Sequence, residues 1–218
     1  MRWVPCAAAL CLGVLLASCR LIPTAEVKSM GDTSLMNGAA SFDPDKSVNS
    51  MWATKVIPYF EKKAGSFAEV RDLAAKSPDE AGEKYGYRAK SDGTPWTLMV
   101  KIEGTIVAAD TESRAATIGV DAIGQGKTDA TVQIGPAMFG TSIRDALSFV
   151  SFNDFTNQID FARYADAFNA YVNRNTLNKL PRQDLIGRKV SLIGAYALDS
   201  SGQPPMVTPV EITIGPKP

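Results

Sequence analysis

The chain has 218 residues, 45% of them hydrophobic, and its 23 basic and 23 acidic side chains leave no net charge. This composition is sufficient for a folded core and excludes a disordered or collagen-like chain. The even charge balance provides no basic field to attract nucleic acid, so no nucleic-acid partner is predicted. The absence of histidine excludes Ser-His-Asp and Cys-His catalysis and disfavours most zinc sites.

The N-terminus combines a positive charge, a short apolar segment and a cysteine preceded by small residues. Arg2 comes before the uncharged run from Val4 to Ala17, whose 14 residues are fewer than the about 20 that a membrane span needs. The run ends in LASC, in which cleavage is expected between Ser18 and Cys19. The segment resembles a bacterial lipoprotein signal, with residues 1–18 removed and Cys19 acylated. The alternatives are a secretory signal with an incidental cysteine and a buried apolar helix.

Lipidation at Cys19 would leave the mature chain without a free thiol. Cys6 and Cys11 lie in the removed segment, so no disulfide is predicted. Arg20 stands where an aspartate commonly retains lipoproteins at the inner membrane, which favours the outer membrane. Residues 19–41 then comprise the lipid-anchored Cys and a flexible tether with a reach of roughly 25 Å. The expected location is the periplasmic face of a bacterial membrane, with the lipid as the membrane contact.

Residues 42–92 are predicted to form a helical segment. Asp43 followed by Pro44 is typical of a helix start, and apolar residues then recur at spacings of three and four. Pro58 is expected to bend or shorten this helix because it lacks a backbone donor. Two further helix starts follow from capping-box spacing, namely Ser66 with Glu69 and Ser77-Pro78 with Glu80.

From Trp96 the apolar pattern changes to that of β-strands separated by turn residues. The five predicted strands are Leu98–Ala109, Ala115–Ala122, Ala130–Ile134, Arg188–Leu198 and Met206–Ile214. A helical insertion at about 141–175 separates the third strand from the fourth, with one helix start at Thr141-Ser142 and a longer helix over 157–173. The inward stripe predicted for the longer helix is Ile159, Phe161, Tyr164, Ala165, Phe168 and Val172.

Three strands, a helix and two more strands is the order of the oligonucleotide/oligosaccharide-binding (OB) barrel. Gly104 and Gly194 lie inside strands, where a small barrel needs residues without Cβ in order to coil or bulge. The predicted class is α+β, with N-terminal helices packed on a five-stranded OB-like antiparallel barrel over residues 93–218. The alternative is an open antiparallel sheet with helices on one face.

Several segments resemble a family of uncharacterised predicted periplasmic lipoproteins. They are WATKVIP (52–58), EKYGYR (83–88), VQIGP (132–136) and GTSIRDALSFVSFNDFTNQIDFA (140–162). The resemblance spans about residues 42–214 and implies a lipid-anchored envelope protein without an assigned activity. Genes of this family tend to lie beside sugar ABC-transporter genes. The resemblance therefore implies sugar ABC-transporter components or carbohydrate as partners.

The stretch from Arg144 to Tyr164 concentrates amides, carboxylates and aromatic rings, which are the groups that bind carbohydrate hydroxyls and C–H faces. The candidate ligand or partner residues are Gln133, Arg144, Asp145, Asn153, Asp154, Asn157 and Gln158. The alternative is structural. In that case Phe149, Phe152 and Phe155 are core residues, Arg144 pairs with Asp154 in a buried ion pair, and Asn153 and Asp154 cap the following helix.

No catalytic, cofactor or metal motif accompanies these residues. Asp154, Asp160 and Asp166 diverge around a helix, so no metal site is predicted, and no cofactor is predicted because no phosphate-binding glycine motif precedes a helix. A glycoside hydrolase would need two carboxyl groups about 5 to 10 Å apart, with Asp145 and Asp154 as candidates. The chain is expected not to be an enzyme. A purely structural or assembly lipoprotein without a small-molecule ligand is the other alternative.

Overall fold

The computed structural model describes residues 42–90 and 93–217. Ser18, Cys19 and the expected tether lie outside the described residues. From Phe42 onward the helices and the sheet share one hydrophobic core. Among the described residues, no helix is long and apolar enough to cross a membrane.

The first helix begins where the sequence predicts, and its hydrogen-bonding pattern changes just before Pro58. Helix α1 (Pro44–Met51) begins after Asp43, whose side chain accepts a hydrogen bond from the Lys46 N–H. A π-helical turn (Trp52–Val56) then leads into α2 (Ile57–Lys63). Because Pro58 has no N–H to offer the preceding turn, the chain widens there instead of ending, and Ile57 N–H donates to the Trp52 carbonyl.

Two short helices follow, and only one has the expected side-chain cap. Helix α3 (Phe67–Lys76) begins with the Ser66 hydroxyl accepting from Glu69 N–H, as its spacing predicts. Helix α4 (Pro78–Tyr85) begins after Ser77, whose hydroxyl makes no capping bond, so the capping box predicted there is wrong. The two-residue strands β1 (Gly65–Ser66) and β2 (Gly86–Tyr87) join these helices to the sheet.

Five longer strands in the described part of the chain close into a barrel. They are β3 (Thr97–Asp110), β4 (Thr117–Asp121), β5 (Ala130–Gln133), β6 (Lys189–Ala197) and β7 (Met206–Ile214). Their order is β3-β4-β5-β7-β6, and β6 pairs again with β3. All of these pairings are antiparallel except β5 with β7, which is parallel. The closed α+β OB arrangement is thus confirmed, with one parallel pairing that the sequence did not indicate.

Strand β3 closes the barrel because its two halves pair with different strands. Its first part runs antiparallel to β6, and its last residues pair with β4. A Cβ on Gly104 would lie 2.4 Å from the Asp121 carbonyl oxygen, and one on Gly194 would lie 2.7 Å from that of Thr208. Both distances are too short for any side chain, which confirms why these strand positions require glycine.

The segment between β5 and β6 contains α5 (Ser142–Ala146), a 3₁₀ turn (Phe152–Asp154), α6 (Gln158–Asn175) and a second 3₁₀ turn (Leu177–Lys179). Helix α6 buries Tyr164, Ala165, Phe168 and Val172 against the core, as expected. The inclusion of Ile159 in the inward stripe is wrong, since it is 65% exposed. It lies in the first turn of α6 and, two residues from Phe161, projects from a different helix face.

Candidate functional site

The largest group of predicted site residues meets at an open groove beside α5, which we call the α5 groove. Arg144, Asp145, Asn153 and Gln158 line it, and its volume is about 880 Å³. Gly140 and Thr141 form one end, and residues of the segment 87–95 form the facing wall. The 3₁₀ turn at Phe152–Asp154 and the first turn of α6 bring the two amides to the same rim.

Arg144 and Asp145 line the groove as a hydrogen-bonded ion pair. Arg144 is only 9% exposed. Its Nε and Nη2 donate to Asp145 Oδ1 over 2.8 and 2.6 Å, and its Nη1 donates to the Phe161 carbonyl. The Phe161 ring lies 3.7 Å from the centre of the guanidinium, and Thr141 donates its hydroxyl to the Asp145 carboxylate. The predicted alternative of a pair between Arg144 and Asp154 is therefore wrong, because the adjacent Asp145 takes that place.

Asp154 and Asn157 serve the local backbone and do not line the α5 groove. An Asp154 oxygen accepts from Ser151 N–H at the 3₁₀ turn. Asn157 caps α6, since its Oδ1 accepts from Asp160 N–H over 2.9 Å. The interpretation of Asn153 and Asp154 as the caps of α6 is wrong, because the chain makes an extra turn before that helix begins.

Gln133 is a buried side chain that connects two segments of the barrel. Its Nε2 donates to the Phe139 carbonyl over 3.0 Å and to the Thr208 hydroxyl over 2.8 Å, while its Oε1 accepts from Phe139 N–H. It is 3% exposed and does not line the α5 groove. These bonds hold the 135–140 turn against β7, so the side chain positions one end of the groove from within.

The aromatic side chains around the groove differ in burial. Phe149 and Phe152 are exposed and Phe155 is half-buried, so the prediction of all three as core residues is wrong. Phe152 lines the α5 groove and packs edge-on against Phe161, with 5.5 Å between ring centroids. Phe161 in turn packs against Phe155. The groove thus has an aromatic surface that is supported from the core side.

The facing wall was not identified from the sequence. Tyr87, Arg88 and Lys90 belong both to the α5 groove and to an adjoining cavity of about 980 Å³, which also includes Tyr59 and Lys63. Burial lowers the pKa of Lys63, whose amine donates to the Glu83 carbonyl. The only sequence indication was the aromatic and basic run EKYGYRAK (83–90). This run lies more than fifty residues before α5 in the chain. The pairing of β2 with β3 brings it to the groove.

The described residues do not place two carboxyl groups face to face across the groove. Asp145 lines it but is held by Arg144 and Thr141, and Asp154 is not part of its lining. In the same described part of the chain, no group of three or more acidic or cysteine side chains could hold a metal ion. The groove lining itself is polar and aromatic.

The fold and groove define an OB-fold protein. A crystal structure of an OB-fold protein from Thermotoga maritima is similar to this chain, with a TM-score of 0.64 and 20% identity, covering 81% of this chain and 100% of that one. No curated protein matches the chain. Residues 9–213 match the family DUF2291, described as predicted periplasmic lipoproteins, and the chain belongs to that family. Membership supports a periplasmic, membrane-anchored protein, in agreement with the resemblance and the N-terminal signal.

Proposed function

We propose that this lipoprotein is a non-catalytic accessory protein that binds carbohydrate in the α5 groove and acts beside a sugar ABC transporter. The observation that carries the proposal is the presence of two free amides, Asn153 and Gln158, on the rim of a groove with an aromatic surface. Within the described part of the chain neither side-chain amide makes a hydrogen bond, and both residues are exposed.

The chemistry of these groups suits a sugar. A side-chain amide offers two donors and an acceptor with two lone pairs, so it can bond two neighbouring hydroxyl groups at once. Phe152 is 50% exposed beside the amides and can cover the C–H face of a sugar ring. The groove volume of about 880 Å³ lies within the roughly 300–1,000 Å³ of small-molecule sites.

The non-catalytic role is supported by the state of the groove's carboxylate. Asp145 has one oxygen bonded to two nitrogens of Arg144 and the other to the Thr141 hydroxyl. A general acid or nucleophile for glycoside cleavage needs a second carboxyl group across the substrate. Asp154, the proposed second carboxylate, bonds Ser151 N–H instead and does not line the groove.

The role beside a transporter is supported by the family resemblance and by the anchor. Acylation at Cys19 would hold the barrel near a membrane on a tether whose reach is roughly 25 Å. The sugar and the transporter components are then successive partners of one protein.

Calorimetric titration of the mature protein with a panel of neutral monosaccharides and disaccharides tests the proposal. At least one sugar should bind saturably, and the double variant Asn153→Ala/Gln158→Ala should bind it about tenfold or more weakly, because each lost hydrogen bond contributes roughly 0.5–1.5 kcal/mol. The matched control is Asn178→Ala/Gln125→Ala, which removes two exposed amides outside the groove. Unchanged affinity in the groove variant, or no binding by any sugar, would refute the proposal.

A further inference from the structure

A second cavity lies where α3 meets two loops of the barrel, and we call it the loop cavity. Its volume is about 550 Å³. Arg71 lies on α3, residues 127–129 belong to the loop between β4 and β5, and residues 198–205 join β6 to β7. The loop cavity and the α5 groove both reach Ala197 and otherwise have different lining residues.

The hydroxyl of Tyr196 is the unusual group in the loop cavity. Tyr196 is 5% exposed and lines the cavity, yet its hydroxyl makes no hydrogen bond to any residue that the structure describes. Among the described residues the hydroxyl is not one of the fully enclosed unpaired atoms, so it reaches the cavity and can donate to a molecule held there. Burial raises the pKa of Tyr196 to about 12, so the hydroxyl remains protonated and able to donate at neutral pH.

Both carboxylates on the cavity wall are already bonded within the protein. One Asp129 oxygen accepts from the N–H groups of Ala122 and Ile123, and the other contacts Arg71. Asp199 accepts from both the N–H and the hydroxyl of Ser201, and these bonds lower the pKa of its carboxyl. A ligand would therefore find both of these carboxylates engaged.

The donors, in contrast, are available. Arg71 makes only long contacts, of 3.5 Å to Asp129 and 3.4 Å to Asp72, and its side chain is 40% exposed. Lys127 is exposed and has no partner among the described residues. The remaining wall combines apolar residues with the neutral polar residues Thr128, Ser200 and Gln203; the apolar ones are Ala74, Ala75, Leu198, Pro204 and Pro205. The cavity thus presents the unpaired Tyr196 hydroxyl, the Lys127 amine and the remaining N–H groups of Arg71 beside a partly apolar surface.

We propose that the loop cavity binds a small organic carboxylate, whose oxygens accept hydrogen bonds from Tyr196, Arg71 and Lys127 while its apolar body packs between α3 and the 198–205 loop. A charged acceptor is favoured because hydrogen bonds to an ion are roughly twice as strong as neutral ones. This site is distinct from the α5 groove and does not depend on carbohydrate binding.

The test uses benzoate as the probe and benzamide as its neutral analogue of the same shape, each titrated into the mature protein by ligand-observed NMR. Benzoate should bind saturably and benzamide about tenfold more weakly, because the amide lacks the charge and one acceptor. Tyr196→Phe should weaken benzoate binding about fivefold without lowering Tm, since no hydrogen bond within the protein is lost. The matched control Tyr171→Phe, on α6 and outside the cavity lining, should bind as the unaltered protein does.

A second variant keeps the test decisive if Tyr196→Phe disturbs packing. Lys127→Gln changes an exposed loop residue and should weaken benzoate, but not benzamide, with a smaller salt dependence of binding. Asn153→Ala/Gln158→Ala should leave benzoate binding unchanged, which separates this site from the α5 groove. Absence of saturable benzoate binding, or equal affinity in Tyr196→Phe, Lys127→Gln and the unaltered protein, would overturn the proposal.

Discussion

Gln133 shows how one buried polar side chain can organise the end of a barrel strand. It bonds both the N–H and the carbonyl of Phe139 and also the Thr208 hydroxyl. The turn that follows β5 carries backbone groups without a strand partner, and unpaired buried groups are costly. The Gln133 amide satisfies two of them, so the turn leading to Gly140 and the α5 groove has a defined position.

We expect Gln133→Ala to lower the free energy of unfolding by about 2–4 kcal/mol, because it leaves buried partners unsatisfied and removes packing volume. Urea denaturation measures the change. Gln125→Ala, which removes an exposed amide, should alter stability by less than about 0.5 kcal/mol. An equally small effect of Gln133→Ala would show that its hydrogen bonds do not hold the turn.

Tyr196 should make stability depend on alkaline pH. Its pKa is raised from about 10 to about 12 by burial, so its contribution is fully present below pH 10 and is lost as pH rises from about 10 to about 12. The loss for this one group is about 3 kcal/mol. The free energy of unfolding, measured between pH 9 and 12, should fall less steeply with pH for Tyr196→Phe than for Tyr171→Phe. Identical slopes in the two variants would contradict a buried, neutral Tyr196.

At the scale of elements, β3 is the strand on which closure depends. It pairs with β6 along its first part and with β4 along its last, and Gly104 lies near the change of partner. The absence of a Cβ at Gly104 allows β3 to coil closely against the Asp121 carbonyl of β4. The same requirement applies to Gly194 beside the irregular pairing of β6 with β7.

Gly104→Ala is expected to cost at least about 2 kcal/mol, because the new Cβ would clash with backbone that cannot move without breaking strand pairing. The control is Gly215→Ala, where the nearest atom would be 3.4 Å away and the contact is ordinary. Thermal unfolding of the two variants should separate them clearly. Equal melting temperatures would indicate that the barrel wall adjusts at Gly104.

The strands could be predicted from the sequence because each one is defined by the apolar pattern and the turn residues of its own segment. Alternating apolar residues and turn residues placed all five barrel strands to within two residues of their observed bounds. The contacts of each side chain depend on residues that are distant in the sequence, so they could not be predicted in the same way. Arg144 pairs with its sequence neighbour Asp145 and not with Asp154. The aromatic and basic wall of the groove is formed by residues 87–90, which are distant in the sequence. The expected ligand residues were therefore only partly brought together.

At the scale of the whole molecule, a small barrel that carries the α5 groove and the loop cavity is expected to be held near a membrane by lipid. The family supports the periplasmic lipoprotein location, while the acylation site at Cys19 rests on the LASC tetrapeptide. Because acylation would hold the barrel within a tether's length of the membrane, it should raise the local concentration of the binding sites there.

Cys19→Ser should abolish acylation, because serine has no thiol for the lipid, and should leave an uncleaved precursor. Metabolic labelling with a fatty acid and separation by mass test both effects. Cys11→Ser provides the matched control, since it changes a cysteine within the segment that is removed. Label that persists in Cys19→Ser would show that the lipid is attached elsewhere.

The most direct test of the binding function is to map backbone amide NMR shifts while the best-binding sugar is added to the mature protein. The account predicts saturable shifts clustered at residues 140–145, 151–158 and the described parts of 87–95, with no comparable change at 198–205, where the loop cavity lies. The Asn153→Ala/Gln158→Ala variant should lose most of these shifts. Shifts confined to other faces of the barrel would contradict the assignment of the α5 groove as the carbohydrate site.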